Sequence, residues 1–151
     1  MNPYSAPTAI VEDAQVPPGR RTAVLIGAAI GCGISYAVLL IFGLVFLWIL
    51  VAQGVPSQEL YARAYQSTGY LVFAHLTSVF CLAPGGYWST RLDPTNSLVS
   101  AVIAGALVSV FSMTSNLLPY ELPIPMWSRI LSVVIPIPAF SIGALWWRRE
   151  A

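Results

Sequence analysis

From Thr22 to Ala52 the chain has no charged residue. This apolar run is about 31 residues long, where about 20 suffice to cross a hydrocarbon core about 30 Å thick. It predicts a first transmembrane helix over residues 22–52 that must tilt, bend or protrude. The apolar core of a cleaved signal peptide is about half as long, so the run is read as a retained span. A second apolar stretch covers 69–90. It is interrupted late by Pro84-Gly85-Gly86, which predicts a break, and is closed by Arg91 and a turn at Asp93-Pro94-Thr95-Asn96. So short a linker makes the second and third spans antiparallel neighbours. The third span is expected at 97–118. Pro119, Pro123 and Pro125 then predict an extended loop, and the fourth span is expected at 128–147, ending at Arg148-Arg149.

Two segments lack a spanning pattern. Residues 1–19 hold several prolines, the adjacent acids Glu12 and Asp13 and no sustained apolar period, which reads as a disordered tail. Pro56 to Tyr65 opens like a helix, with Ser57 as N-cap and Glu59 in its first turn, lying at the interface or extending the second span. The expected fold is therefore all-α: a disordered tail (1–19) followed by a four-helix transmembrane bundle (20–151).

Composition supports the same picture. Apolar residues make up 57% of the chain, charged residues 9%, and mean hydropathy is +0.74, whereas soluble domains are about one quarter charged. The lipid bilayer is thus the first expected partner. A net charge of +1 without a basic stripe argues against nucleic-acid binding. All the cations are arginine. Arg20, Arg21, Arg91, Arg148 and Arg149 fall on one side of the four spans, and Arg63 and Arg129 on the other. The positive-inside rule then places both termini in the cytoplasm. The absence of lysine beside frequent alanine points to a GC-rich bacterial genome, hence an inner (cytoplasmic) membrane.

Small residues repeat every fourth position in two spans. Gly27-xxx-Gly31 and Ala29-xxx-Gly33 lie in the first, and Ala101-xxx-Gly105-xxx-Ser109 in the third. Such stripes let helix backbones approach closely, so both are expected to face other helices, in the same chain or in a second copy. In the fourth span Pro136 and Pro138 remove two backbone donors, predicting a kink near mid-membrane that frees carbonyls around Ser132 to Val134. Bent spans occur in transporters and equally in spans with no transport role.

His75 is the one ionisable side chain well inside an expected span, and so the candidate polar intramembrane site. At its depth Ser112, Ser115, Asn116 and Ser132 are available as interhelical hydrogen-bond partners, and no second titratable group stands ready for a proton relay. Cys32 and Cys81 fall at similar depth but form no Cys-x-x-Cys pair. Tyr87, Trp88, Trp127, Trp146 and Trp147 read as interfacial anchors. No catalytic set, metal-ligand cluster or cofactor motif is present, so an enzyme is not expected.

Gly85-Gly86-Tyr87-xxx-Arg91-Leu92, followed by a helix bearing Ala101, Gly105 and Ser109, resembles uncharacterised small four-span proteins of bacterial inner membranes. The opening Asn2-Pro3-Tyr4-Ser5-Ala6-Pro7 resembles the tails of many such proteins. The resemblance covers about a third of the chain and implies architecture and location only. The chain departs from the pattern at Ser97, where a basic residue or His is expected. Small four-span multidrug exporters are similar in size but depend on a carboxylate in the first helix, which is absent here. The functional expectation is a non-catalytic accessory or self-associating bundle, possible partners being another membrane subunit or itself. A small transporter or channel using His75 and the bent fourth span is the alternative.

Overall fold

The computed structural model describes residues 19–93, 95, 97–117 and 124–150. Its helices are α1 (Arg20–Ala52), α2 (Leu60–Gln66), α3 (Thr68–Leu92), α4 (Ser97–Leu117), α5 (Met126–Val134) and α6 (Pro136–Glu150). With α5 and α6 counted as one interrupted span, four stretches are long and apolar enough to cross a membrane. The fold is all-α and the chain is a multi-pass integral membrane protein. The tail expected at 1–19 lies, apart from Gly19, outside the described residues, as do Pro119 and Pro123 of the proline-rich loop.

The bundle is packed with small residues inside and large ones outside. Ala23, Ala101, Ala104, Ala139 and Ala144 are fully buried, whereas Trp48 and Phe80 are more than three-quarters exposed. Lipid tails are as apolar as leucine, so burying a large side chain gains little over leaving it in lipid. Close backbone approach and van der Waals contact decide which face turns inward.

Three crossings made by glycine hold one half of the bundle together. Where α1 meets α3, a Cβ on Gly27 would stand 2.5 Å from Ser89 Cβ and 2.7 Å from the Gly85 carbonyl oxygen. Where α3 meets α6, Gly86 lies against the main chain of Phe140, and Gly143 against the Ala83 carbonyl. Where α4 meets α6, a Cβ on Gly105 would stand 2.9 Å from Ile137 Cα. Phe140, the largest fully buried side chain, fills the centre. Its ring occupies space left by Gly31 and Gly85, where a Cβ would come within 2.8 Å of it.

Several local expectations need correction. Pro84-Gly85-Gly86 does not break the second span: α3 runs unbroken to Leu92 with Pro84 inside it. Opening a helix within a bilayer exposes backbone groups to lipid, so losing the single donor at Pro84 is the smaller cost. The two glycines instead serve the crossings with α1 and α6. Gly33 faces outward, with nothing within 4 Å of its Cβ position, and Ala29 is exposed. They lie about 100° or more around the helix from the buried pair Gly27 and Gly31, and one helix presents only one face to α3.

In the fourth span the interruption falls at Ile135, between α5 and α6. Pro136 and Pro138 cannot donate to the carbonyls four residues earlier. Helical bonding resumes where Ala139 N–H donates to the Ile135 carbonyl at 3.1 Å. Ser57 does not cap α2; Glu59 takes the N-cap position and pairs with Arg63 at 3.6 Å on the surface. Ser67, extended at ψ 106°, ends α2 and accepts from Tyr70 N–H, starting α3.

The antiparallel order puts the start of α1, the end of α3, the start of α4 and the end of α6 at one end of the bundle. Arg20, Arg21, Arg91, Arg148 and Arg149 all lie in those segments. Arg63 and Arg129 lie at the other end, on α2 and α5.

Candidate functional site

The helices that close around glycine at the Arg20 end separate at the opposite end. There α1 stays on α3, and α5 packs on α3, α4 and α6, but α1 and α5 do not approach each other. Between them lies a cleft of about 790 Å³ floored by α3, within the range of sites that hold small molecules, roughly 300–1,000 Å³.

One hydrogen bond between helices ties α5 to the floor, and another ties α4 to α5. The His75 ring Nε2 on α3 lies 2.8 Å from Ser128 Oγ on α5, and the Trp127 ring packs edge-on to His75 at 5.8 Å. One turn further along, the Asn116 side-chain amide on α4 donates to Ser132 Oγ at 2.9 Å, and Ser132 donates to the Arg129 carbonyl at 2.7 Å. His75, Asn116, Ser128 and Ser132 all border the cleft. Thus His75 is bonded across helices, but to Ser128, outside the set foreseen from the sequence; Ser132 is engaged by Asn116. Ser115 bonds back to the Phe111 carbonyl, as helix serines commonly do.

The remaining candidates fall elsewhere. Gly27, Gly31, Ala101 and Gly105 lie in helix crossings inside this chain. Ser109 is buried as well, and its Oγ has no hydrogen-bond partner among the described residues. Pro136 borders the cleft where α5 gives way to α6, whereas Pro138 is exposed. Cys32 borders the cleft, Cys81 is buried and does not, and both are free thiols.

The Arg20 end is a polar latch. Asp93, at the end of α3, is buried. It accepts from Ser100 Oγ and Thr95 Oγ1, each at 2.6 Å, and from Arg20 Nε at 3.4 Å. The Ser100 and Thr95 bonds, then the Arg20 guanidinium, hold its carboxyl below the usual 3.8, against the opposing effect of burial. The latch ties the start of α1 to the linker between α3 and α4. Beside it, the Arg91 guanidinium lies 4.9 Å from the Trp88 ring centre and 5.9 Å from that of Trp147, and Tyr87 packs edge-on to both rings. These interfacial aromatics hold the protein's own cation.

Sequence reasoning missed Gly143, Phe140, Ser128 and the acceptor role of Asp93. The first had a signal: Ala139-xxx-Gly143 is a small-residue repeat like those noted in α1 and α4. No family model matches the chain, and neither a curated protein nor a solved structure is significantly similar to it.

Proposed function

We propose that the chain is a non-catalytic accessory protein of a bacterial inner membrane, with both termini cytoplasmic, and that its working part is the cleft between α1, α4 and α5. The observation that carries this reading is the separation of α1 from α5 over a floor that bears His75 and Ser78 among apolar residues, in a bundle otherwise closed at helix-to-helix contact distance. Such a cleft takes up an occupant from the bilayer. Gly27-xxx-Gly31 and Ala101-xxx-Gly105 are engaged within the chain; of the repeats, Ala29-xxx-Gly33 is the one left facing outward. The cytoplasmic orientation rests on five arginines at the Arg20 end against two at the other.

The test is affinity purification of the tagged protein from its own membranes in mild detergent, with copurifying chains and lipids identified and the particle mass determined. One copy with a stoichiometric occupant is the expected result. A symmetric oligomer of this chain with nothing else bound would overturn the reading.

Transport is supported by His75 and Pro136 bordering one cleft, but the glycine crossings close the other half of the path. A specific observation favours a hydrolase as second reading: Ser128 Oγ and His75 Nε2, at 2.8 Å, have the spacing of a nucleophile and its base. No carboxylate among the described residues borders the cleft to orient the imidazole. Covalent labelling of Ser128 by a fluorophosphonate, lost in Ser128→Ala and His75→Ala, would establish that reading in place of the first.

A further inference from the structure

The cleft changes character along its length. Tyr61 and Arg129 stand near its outer end, where α2 lies and α5 begins. His75, Asn116, Ser128 and Ser132 form the polar middle. Cys32, Leu82, Val108 and Ile135 line its base, with Ser35 and Ser78 beside them. From Thr68 to Leu82 α3 descends about 20 Å at 1.5 Å per residue, somewhat more than half of a hydrocarbon core of about 30 Å. The cleft therefore runs from the bilayer surface to somewhat past its midplane; its lining is mostly apolar, with His75, Asn116, Ser128, Arg129 and Ser132 grouped where α3, α4 and α5 meet.

Its charge is one-sided. Among the described residues no Asp or Glu borders the cleft, and Arg129 has no acidic partner. Arg63, at the same end, is held by Glu59 at 3.6 Å and does not border the cleft. A guanidinium at headgroup depth attracts an anion and forms charge-assisted hydrogen bonds to phosphate oxygens. The Ser128 hydroxyl and Asn116 amide beside it suit ester oxygens, and the largely apolar remainder of the cleft suits an acyl chain.

Building on the reading of the cleft as the working part, we propose that its occupant is an anionic glycerophospholipid from the leaflet the cleft opens to. The phosphate sits at Arg129 and one acyl chain runs past His75 toward Leu82 and Val108. A polypeptide helix is disfavoured as occupant because it brings no anion to Arg129 at this depth unless it carries an acidic residue there.

The test is native mass spectrometry of the full chain in detergent, titrated with phosphatidylglycerol or phosphatidylethanolamine as probes. The expected result is one retained lipid, with phosphatidylglycerol preferred by about tenfold, because the ammonium of phosphatidylethanolamine offsets its phosphate charge and is repelled by Arg129, at the scale of one basic residue near an anionic membrane surface. Arg129→Gln should abolish the preference, Arg129→Lys should keep most of it, and Arg63→Gln should leave it unchanged. Ser112→Trp, which fills the cleft, should abolish retention of both lipids. No preference in the unaltered protein, or equal loss in Arg63→Gln, overturns the proposal. If no lipid is retained while Cys32 remains open to a bilayer-soluble thiol reagent, the lipid assignment fails and the cleft reading stands. If Cys32 is also closed to that reagent, both fail.

Discussion

Gly86 packs against the main chain of Phe140 so closely that no methyl group fits between them. The obstacle is backbone, which cannot rotate aside as a side-chain tip can. Gly86→Ala and Gly143→Ala should therefore force α3 and α6 apart and destabilise the detergent-solubilised protein by about 1–3 kcal/mol or more. Gly33→Ala, with open space at its Cβ position, should change stability by less than about 0.5 kcal/mol. Thermal unfolding of the three variants in one detergent checks the ranking, and equal effects at Gly86 and Gly33 would contradict the packing described.

The His75–Ser128 bond joins α3 to α5 across the cleft floor. Hydrogen bonds between membrane helices contribute about 0.6 kcal/mol on average and up to about 1.7, because the unfolded chain in the bilayer also finds partners. A double-mutant cycle with His75→Ala and Ser128→Ala should give a coupling energy in that range. A cycle pairing His75→Ala with Ser115→Ala should give none, since Ser115 bonds its own helix.

Asp93 makes stability depend on acid. Its carboxyl titrates below 3.8 in the folded protein, held there by Ser100 and Thr95 and then by Arg20. A carboxyl depressed on folding stabilises fully above its unfolded value and loses that contribution as pH falls through the folded value. Thermal stability should thus be flat near neutrality and drop below about pH 4. Asp93→Asn should be less stable at pH 7 and should show a smaller drop in acid. Arg20→Gln should have the lesser effect, because its bond is longer and its side chain is half exposed.

The four spans were legible in the sequence because apolar length and flanking arginines are local properties. The stripe Gly27-xxx-Gly31 was legible for a related reason, since a fourfold repeat of small residues fixes one helix face. Which of two overlapping stripes packs within the chain was not legible, and Gly33 lies on the one that faces outward. That choice depends on where α3 lies, a fact of tertiary structure. Pro84-Gly85-Gly86 misled for a physical reason. The rule that proline and glycine break helices assumes that water can satisfy the opened backbone, and in a bilayer the same residues keep the helix and bring its neighbours close. The cleft was invisible beforehand because it is made by the divergence of α1 from α5, to which no single segment testifies. His75 was found from its intramembrane position alone, whereas its partner Ser128 depended on how the start of α5 sits over α3.

The measurement that tests the central claim most directly is thiol labelling of the two native cysteines in intact membranes with a bilayer-soluble reagent. Cys32 borders the cleft and Cys81 is buried away from it. Cys32 should label faster than Cys81, and Ser112→Trp should slow labelling at Cys32 alone. Equal labelling of both thiols, or a Cys32 rate unaffected by the tryptophan, would mean that α1 and α5 close on each other in the membrane and that the cleft is not the working part of this protein.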